Sequence, residues 1–179
     1  MNNNFYLIDI AGYQTKLPFV NVADNVTVAF LNLHGKPQLT EHCALKLAEL
    51  ANDCDVILTA ESKGLQLGHC VARNLGHQFY AVARKATKQY MKDGIFVVVK
   101  SITTENIQKL FLSYDDMQLL SGKKVAIIDD VISTGESLQA LEELVQKSGG
   151  HTSQKLFVLA EGPTADRPDI KYLAKIPLF

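Results

Sequence analysis

The stretch Val125-Ala126-Ile127-Ile128-Asp129-Asp130-Val131-Ile132-Ser133-Thr134-Gly135-Glu136-Ser137 predicts a buried strand that carries two acids into a hydroxyl-rich turn opening a helix. Val125 to Ile128 form an unbroken apolar run after the polar Ser121-Gly122-Lys123-Lys124, as expected of a strand covered on both faces in a parallel sheet. Asp129 and Asp130 fall at its carboxyl end, the edge of an open α/β sheet where ligands bind. Ser133, Thr134, Gly135 and Ser137 then offer hydroxyls and backbone N–H groups at a helix start, with a glycine that lets the chain approach a ligand closely. A phosphate fits that turn, and the preceding carboxylates suit a ribose diol or a metal ion. The plain alternative is an ordinary strand ending in a solvated Asp-Asp turn. Against it stands the ordered coincidence of apolar run, acid pair and hydroxyl-glycine loop.

Outward from this stretch, strand and helix signals alternate along most of the chain, which argues for α/β architecture with a mostly parallel sheet flanked by helices. Residues 5–35 carry short apolar alternations such as Val26-Thr27-Val28-Ala29-Phe30-Leu31, broken by Gly12, Pro18 and Gly35, and read as a small β-rich hood. Residues 1–35 are therefore expected to form this hood or flap, and residues 36–179 the core domain. Thr40 is the expected cap of a helix running to about Ala51, with Leu45, Ala48 and Ala51 toward the core and Glu41 near the positive helix end. A strand over 55–60, a helix from Lys63 to about Leu75 closed by Gly76, and a strand over 79–83 follow. Ile95 to Ser101 and Ile107 to Ser113 flank the polar Thr103-Thr104-Glu105-Asn106, predicting a flexible hairpin. Strand 124–129, helix 135–148, strand 155–160 and a last strand at 171–176 complete the reading.

Composition bounds the function classes. The 179 residues suffice for one domain with a real core, and 47% apolar with 21% charged residues is ordinary for a globular chain. A formal net charge of −1 supplies no overall field for nucleic acid. Cys43, Cys54 and Cys70 are odd in number and lack metal-ligand spacing, which favours a reduced, cytoplasmic chain; Cys43 and Cys70 read as buried small apolar residues in helices. The start Met1-Asn2-Asn3-Asn4 precedes no apolar leader, and no apolar run approaches the ~18 residues of a membrane span, so neither secretion nor membrane association is expected.

Two further constellations sit at strand ends. Glu61-Ser62-Lys63-Gly64 places a short polar loop, a cation and a glycine between strand 55–60 and its helix. Arg84-Lys85-Ala86-Thr87-Lys88 gathers three cations after the strand ending at Ala83. Each could be a solvated surface turn.

The stretch 125–137 resembles the phosphoribosyl-pyrophosphate (PRPP) signature of the type I phosphoribosyltransferases at all thirteen positions. The likeness extends from about Phe30 to Phe179, while residues 1–25 match nothing in the family. Glu61-Ser62-Lys63-Gly64 resembles the pyrophosphate loop, where adenine-type members carry Glu-Ala-Arg-Gly; lysine keeps the charge but loses the bidentate fork of arginine. Arg84-Lys85-Ala86-Thr87-Lys88 is similar to the Arg-Lys-x-x-Lys stretch of adenine and xanthine enzymes.

The resemblance implies a type I phosphoribosyltransferase fold and a purine phosphoribosyltransferase that transfers the phosphoribosyl group of PRPP to a purine base and releases pyrophosphate. It assigns Asp129 and Asp130 to the ribose hydroxyls and, indirectly with PRPP, to Mg²⁺. Val131, Ile132, Ser133, Thr134, Gly135, Glu136 and Ser137 are assigned to the 5′-phosphate. Ser62, Lys63, Gly64, Arg84, Lys85 and Lys88 are assigned to pyrophosphate. Asn32 of Phe30-Leu31-Asn32 is the candidate base contact. Glu105 is a candidate catalytic substitute for the Glu-Tyr-Gly of adenine enzymes, which this chain lacks.

Ser133 stands where classical hypoxanthine-guanine enzymes carry a third aspartate, which disfavours that branch. Gly162 after Glu161 replaces the lysine of xanthine enzymes, and the Lys-Asp-His-Gly loop of orotate enzymes is missing, so adenine is favoured over xanthine or orotate. The resemblance further implies a homodimer. A non-catalytic PRPP-sensing regulator is the alternative, although such a regulator usually needs an added DNA-binding domain or a strongly basic face, and neither shows here.

Overall fold

The computed structural model describes residues 4–23, 26–89, 91, 93–99 and 108–179. The expected loop Thr103 to Asn106, with Glu105, lies outside them. The chain runs β1 (Phe5–Ile10), β2 (Tyr13–Ala23), β3 (Val26–Ala29), α1 (Pro37–Leu50), β4 (Val56–Ala60), α2 (Gly64–Asn74), β5 (Ala81–Ala83), β6 (Ile95–Val99) and β7 (Gln108–Leu112). It continues through α3 (Tyr114–Leu120), β8 (Lys124–Ile132), α4 (Glu136–Lys147), β9 (His151–Glu161), a 3₁₀ turn at Gly162–Asp166 and β10 (Lys171–Ile176).

A five-stranded sheet in the order β10-β9-β8-β4-β5 is parallel throughout. Its central strand β8 feeds both faces, as side chains alternating along a strand must. Val125 and Ile127 join a core with α4 and the β6–β7 hairpin, while Ala126 and Ile128 join one with α1, α2 and the hood. All four side chains are fully buried.

The antiparallel hood β1-β2-β3 inserts Ile10, Leu17 and Ala29 into the second core. His42 on α1 fastens it, with Nε2 at 3.0 Å from the Ile10 carbonyl and 3.1 Å from that of Ala11. Phe179 packs edge-on against Tyr6 and Phe19. The β6–β7 hairpin meets the main sheet through reciprocal 2.8 Å bonds between the Arg84 and Phe111 backbones.

Several expectations need correction. Helix α1 starts at Pro37, whose missing N–H and fixed φ suit the first helical position; Thr40 is no cap, because its hydroxyl donates back to the Lys36 carbonyl at 2.9 Å. The buried stripe is accordingly Leu39, Thr40, Cys43, Ala44 and Leu47, and Leu45 faces solvent at 49% exposure. Glu41, no longer at the positive end, pairs with Arg73 of α2.

Strand β8 extends three residues beyond the predicted end, so Asp129 and Asp130 lie within the strand and the turn begins at Ser133. The β-branched Val131 and Ile132 carry it on. The short helix α3 was not expected. Cys43 and Cys70 are buried free thiols, and burial pushes that of Cys43 up to about 12. No helix among the described residues is long and apolar enough to cross a membrane.

Candidate active site

Three strand ends meet at the carboxyl edge of the sheet. From β8, Asp130 is 5% exposed, and Asp129 turns its Oδ1 back to accept the Asp130 N–H at 2.9 Å. Burial first, then the neighbouring Asp130 charge, push the Asp129 carboxyl well above the usual carboxylate range. The loop after β4 supplies Lys63, whose ammonium pairs with Asp130 Oδ2 and also lies 5.3 Å from the centre of the Phe30 ring in the hood. The loop after β5 supplies Arg84, which pairs with Glu61 at 3.2 Å, and the Lys85 N–H, which donates to Glu61 at 3.0 Å. Glu61 thereby ties the second and third loops together.

Gly64 opens α2 against this cluster. A Cβ there would stand 3.1 Å from Asp129 Oδ1 and fall well inside contact distance of Thr59 Oγ1. Only glycine lets the helix start come so near the acids. Thr59 is fully buried, and its hydroxyl has no hydrogen-bond partner among the described residues.

Beyond the acids, Ser133, Thr134 and Gly135 turn into α4, with Gly135 at φ +86° in the left-handed region that a side chain would resist. A cavity of about 130 Å³ opens here, bounded by Asp129, Ser133, Thr134, Gly135 and Ser137 above Phe157. Backbone N–H groups at a helix start, backed by its positive dipole end, suit an anion of phosphate size. Glu136 is the first residue of that helix. Val131 is half-buried and Ile132 is 3% exposed, with both side chains packed in the cores, so any contribution from them comes through the backbone.

The structure thus gathers Asp129, Asp130, Ser62, Lys63, Gly64, Arg84 and Lys85 near one edge, and Ser133 to Ser137 beside the acids. Lys88 is exposed farther along its loop and takes no part in the Glu61 network. Asn32 uses its side-chain carbonyl to accept the His34 N–H at 3.0 Å. A larger cleft of about 510 Å³ lies between the Arg84 loop and the hairpin, bringing Lys85 toward Lys109 and Phe111.

No group of three or more His, Cys, Asp or Glu among the described residues could hold a metal ion unaided. Two adjacent carboxylates do fit a hard cation that takes its other oxygens from a bound phosphate compound. Sequence reasoning missed Thr59 and the 3₁₀ turn. Thr164 of that turn donates its hydroxyl to the Ser133 carbonyl, a contact 31 positions apart with no local signal.

Comparison with known proteins adds the following. Residues 31–177 match the model of the phosphoribosyl transferase domain. The adenine phosphoribosyltransferase of Agathobacter rectalis is 35% identical over 107 residues, covering 60% of this chain and 58% of that protein. The chain spans about three fifths of the length of the curated relatives it matches first. In fold, it is similar to the adenine phosphoribosyltransferase of Thermoanaerobacter pseudethanolicus, with a TM-score of 0.75 at 20% identity, covering 89% of this chain and 95% of that one. It is also similar to the Saccharomyces cerevisiae enzyme solved with adenine and an imino-altritol bisphosphate, with a TM-score of 0.68 at 19% identity, covering 96% and 92%.

Proposed function

Because the chain belongs to the phosphoribosyl transferase family, we propose that it is a purine phosphoribosyltransferase, moving the phosphoribosyl group of PRPP to a purine base, adenine before others, with release of pyrophosphate. One observation carries the reading: the acid pair of β8, the Lys63 loop, the Arg84 loop and the Gly135 turn converge on one sheet edge. The adenine bound to the yeast neighbour and the names of the curated relatives support the choice of base.

In this mechanism the turn from Ser133 to Ser137 holds the 5′-phosphate with backbone N–H groups and hydroxyls. Asp129 and Asp130 accept hydrogen bonds from the ribose hydroxyls and fix the ring, their negative charge favouring the positive character the sugar gains as the leaving group departs. Lys63, Arg84 and Lys85 face the departing pyrophosphate. Lys63 pairs with Asp130, so a ribose held by Asp130 competes with that pair and turns Lys63 toward the diphosphate. When bound with PRPP beside Asp129 and Asp130, Mg²⁺ supplies neutralisation of the leaving charge. The base lies under the hood near Phe30 and Asn32; Glu105, outside the described residues, enters this reading through the family resemblance alone. A homodimer, which rests on the family resemblance, and a cytoplasmic location, which rests on the free thiols of Cys43, Cys54 and Cys70, are part of the same reading.

The test is pyrophosphate release from PRPP and Mg²⁺ with adenine, guanine, hypoxanthine, xanthine and orotate in turn. Adenine should give the highest kcat/KM. PRPP binding with no release from any base would overturn the enzyme in favour of a PRPP sensor.

A further inference from the structure

We propose that Arg167 is an additional phosphate-recognition residue, whose guanidinium adds its positive charge to the Ser133–Gly135 turn from outside the signature stretch. The inference rests on the phosphate role proposed for that turn. Arg167 Nη1 lies 3.0 Å from where a Cβ on Gly135 would stand, so the guanidinium lies against the one residue of the turn that presents bare backbone.

The guanidinium is oriented rather than loose. Nε and Nη2 donate to the two oxygens of Asp169 at 3.0 and 2.8 Å, a fork that uses one side of the group and leaves Nη1 directed at the turn. Asp169 is itself held by Lys155 at 2.8 Å, and Lys155 pairs with Glu142 of α4, the helix the turn opens. The Arg167 N–H donates to the Thr164 carbonyl at 3.2 Å, while the Thr164 hydroxyl bonds the Ser133 carbonyl. The segment after β9 is therefore laced to the turn at both Ser133 and Gly135.

A cation in that position has a direct electrostatic consequence. A fixed guanidinium beside Gly135 adds to the positive end of α4 and raises the affinity of a phosphomonoester held there. Pyrophosphate at the Lys63 and Arg84 loops lies away from it and should not respond.

The experiment is calorimetric titration of the whole chain and of its Arg167→Gln and Arg167→Lys variants with ribose 5-phosphate and, separately, with Mg²⁺-pyrophosphate. Losing the charge beside the turn should weaken ribose 5-phosphate about tenfold or more in Arg167→Gln, weaken it less in Arg167→Lys, which keeps the charge but not the fork to Asp169, and leave pyrophosphate unchanged in both. Ribose 5-phosphate binding unchanged in Arg167→Gln would overturn the proposal. Equal weakening of both ligands would overturn it as well, since that marks a structural brace alone, and so would a Lys variant no better than Gln. If the parent itself fails to bind ribose 5-phosphate, the phosphate role of the turn falls and this inference with it.

Discussion

Gly64→Ala sets two effects of opposite sign against each other. Alanine at the first position of α2 gains up to ~1 kcal/mol of helix propensity over glycine. The added methyl, however, would overlap Thr59 Oγ1, stand 3.1 Å from Asp129 Oδ1 and sit 3.6 Å from Thr59 Cβ. Rotating Thr59 gives little relief. Its Cγ2 already stands 2.8 Å from where a Cβ on Gly68 would be, so the same helix crowds its other branch. Overpacking a tight interior costs about 1–3 kcal/mol, and an overlap this deep falls toward the upper end, so a net loss of ~1–2 kcal/mol remains after the propensity gain. Urea denaturation of Gly64→Ala, Thr59→Ala and the double variant forms the decisive cycle. Thr59→Ala removes the overlapping Oγ1 and leaves Asp129 as the one tight neighbour, so the pair should show a favourable coupling of at least ~1 kcal/mol. A Gly64→Ala protein as stable as the parent, or effects that simply add, would refute the close approach of helix and strand on which the acid cluster depends.

Asp130→Asn should lower kcat/KM about 100-fold or more in the pyrophosphate-release assay, because ring orientation is lost. It should cost under ~2 kcal/mol of stability, since Lys63 is about one third exposed and can turn to solvent; a larger cost in folding than in turnover would contradict the assigned role. The raised folded value of Asp129 makes the native state bind its proton more tightly than the unfolded chain does. Its contribution to stability is therefore fully present below the ordinary carboxylate range and fades as the pH rises through that elevated value, so Asp129→Asn should flatten the decline in a series of urea melts across pH. Ser113→Ala removes the oxygen that accepts the Asp116 N–H at 3.1 Å and should cost ~1 kcal/mol by the same melts.

Where chemistry is local, the sequence was informative. The apolar run before Asp129, the stop at Gly76 with φ +72°, the paired stretches around 95–99 and 108–112, and the last strand at 171–176 all follow from short-range pattern. Helix α3 is masked in the sequence by the β-favouring run that ends at Ser113, although Ser113 and Asp116 have the spacing of a capping box. The start of α1 differs from the expected cap because Thr40 has two uses for its hydroxyl, and only the position of Pro37 decides between them. At the site, the acids and the two cationic loops were legible as separate motifs. Their convergence, the pairing of Lys63 with Asp130, the linking role of Glu61 and the approach of Arg167 depend on contacts between distant segments, which no local pattern encodes.

The alternation of β8 between two cores bears on how such a protein fails. Since neither layer owns the strand, loosening of the hood or of the hairpin leaves the acids mounted on a plank gripped from the other side. Gradual damage by heat or denaturant should then blunt the choice of base before it abolishes the hold on ribose, and the last capacity to disappear is the grip on a phosphorylated sugar.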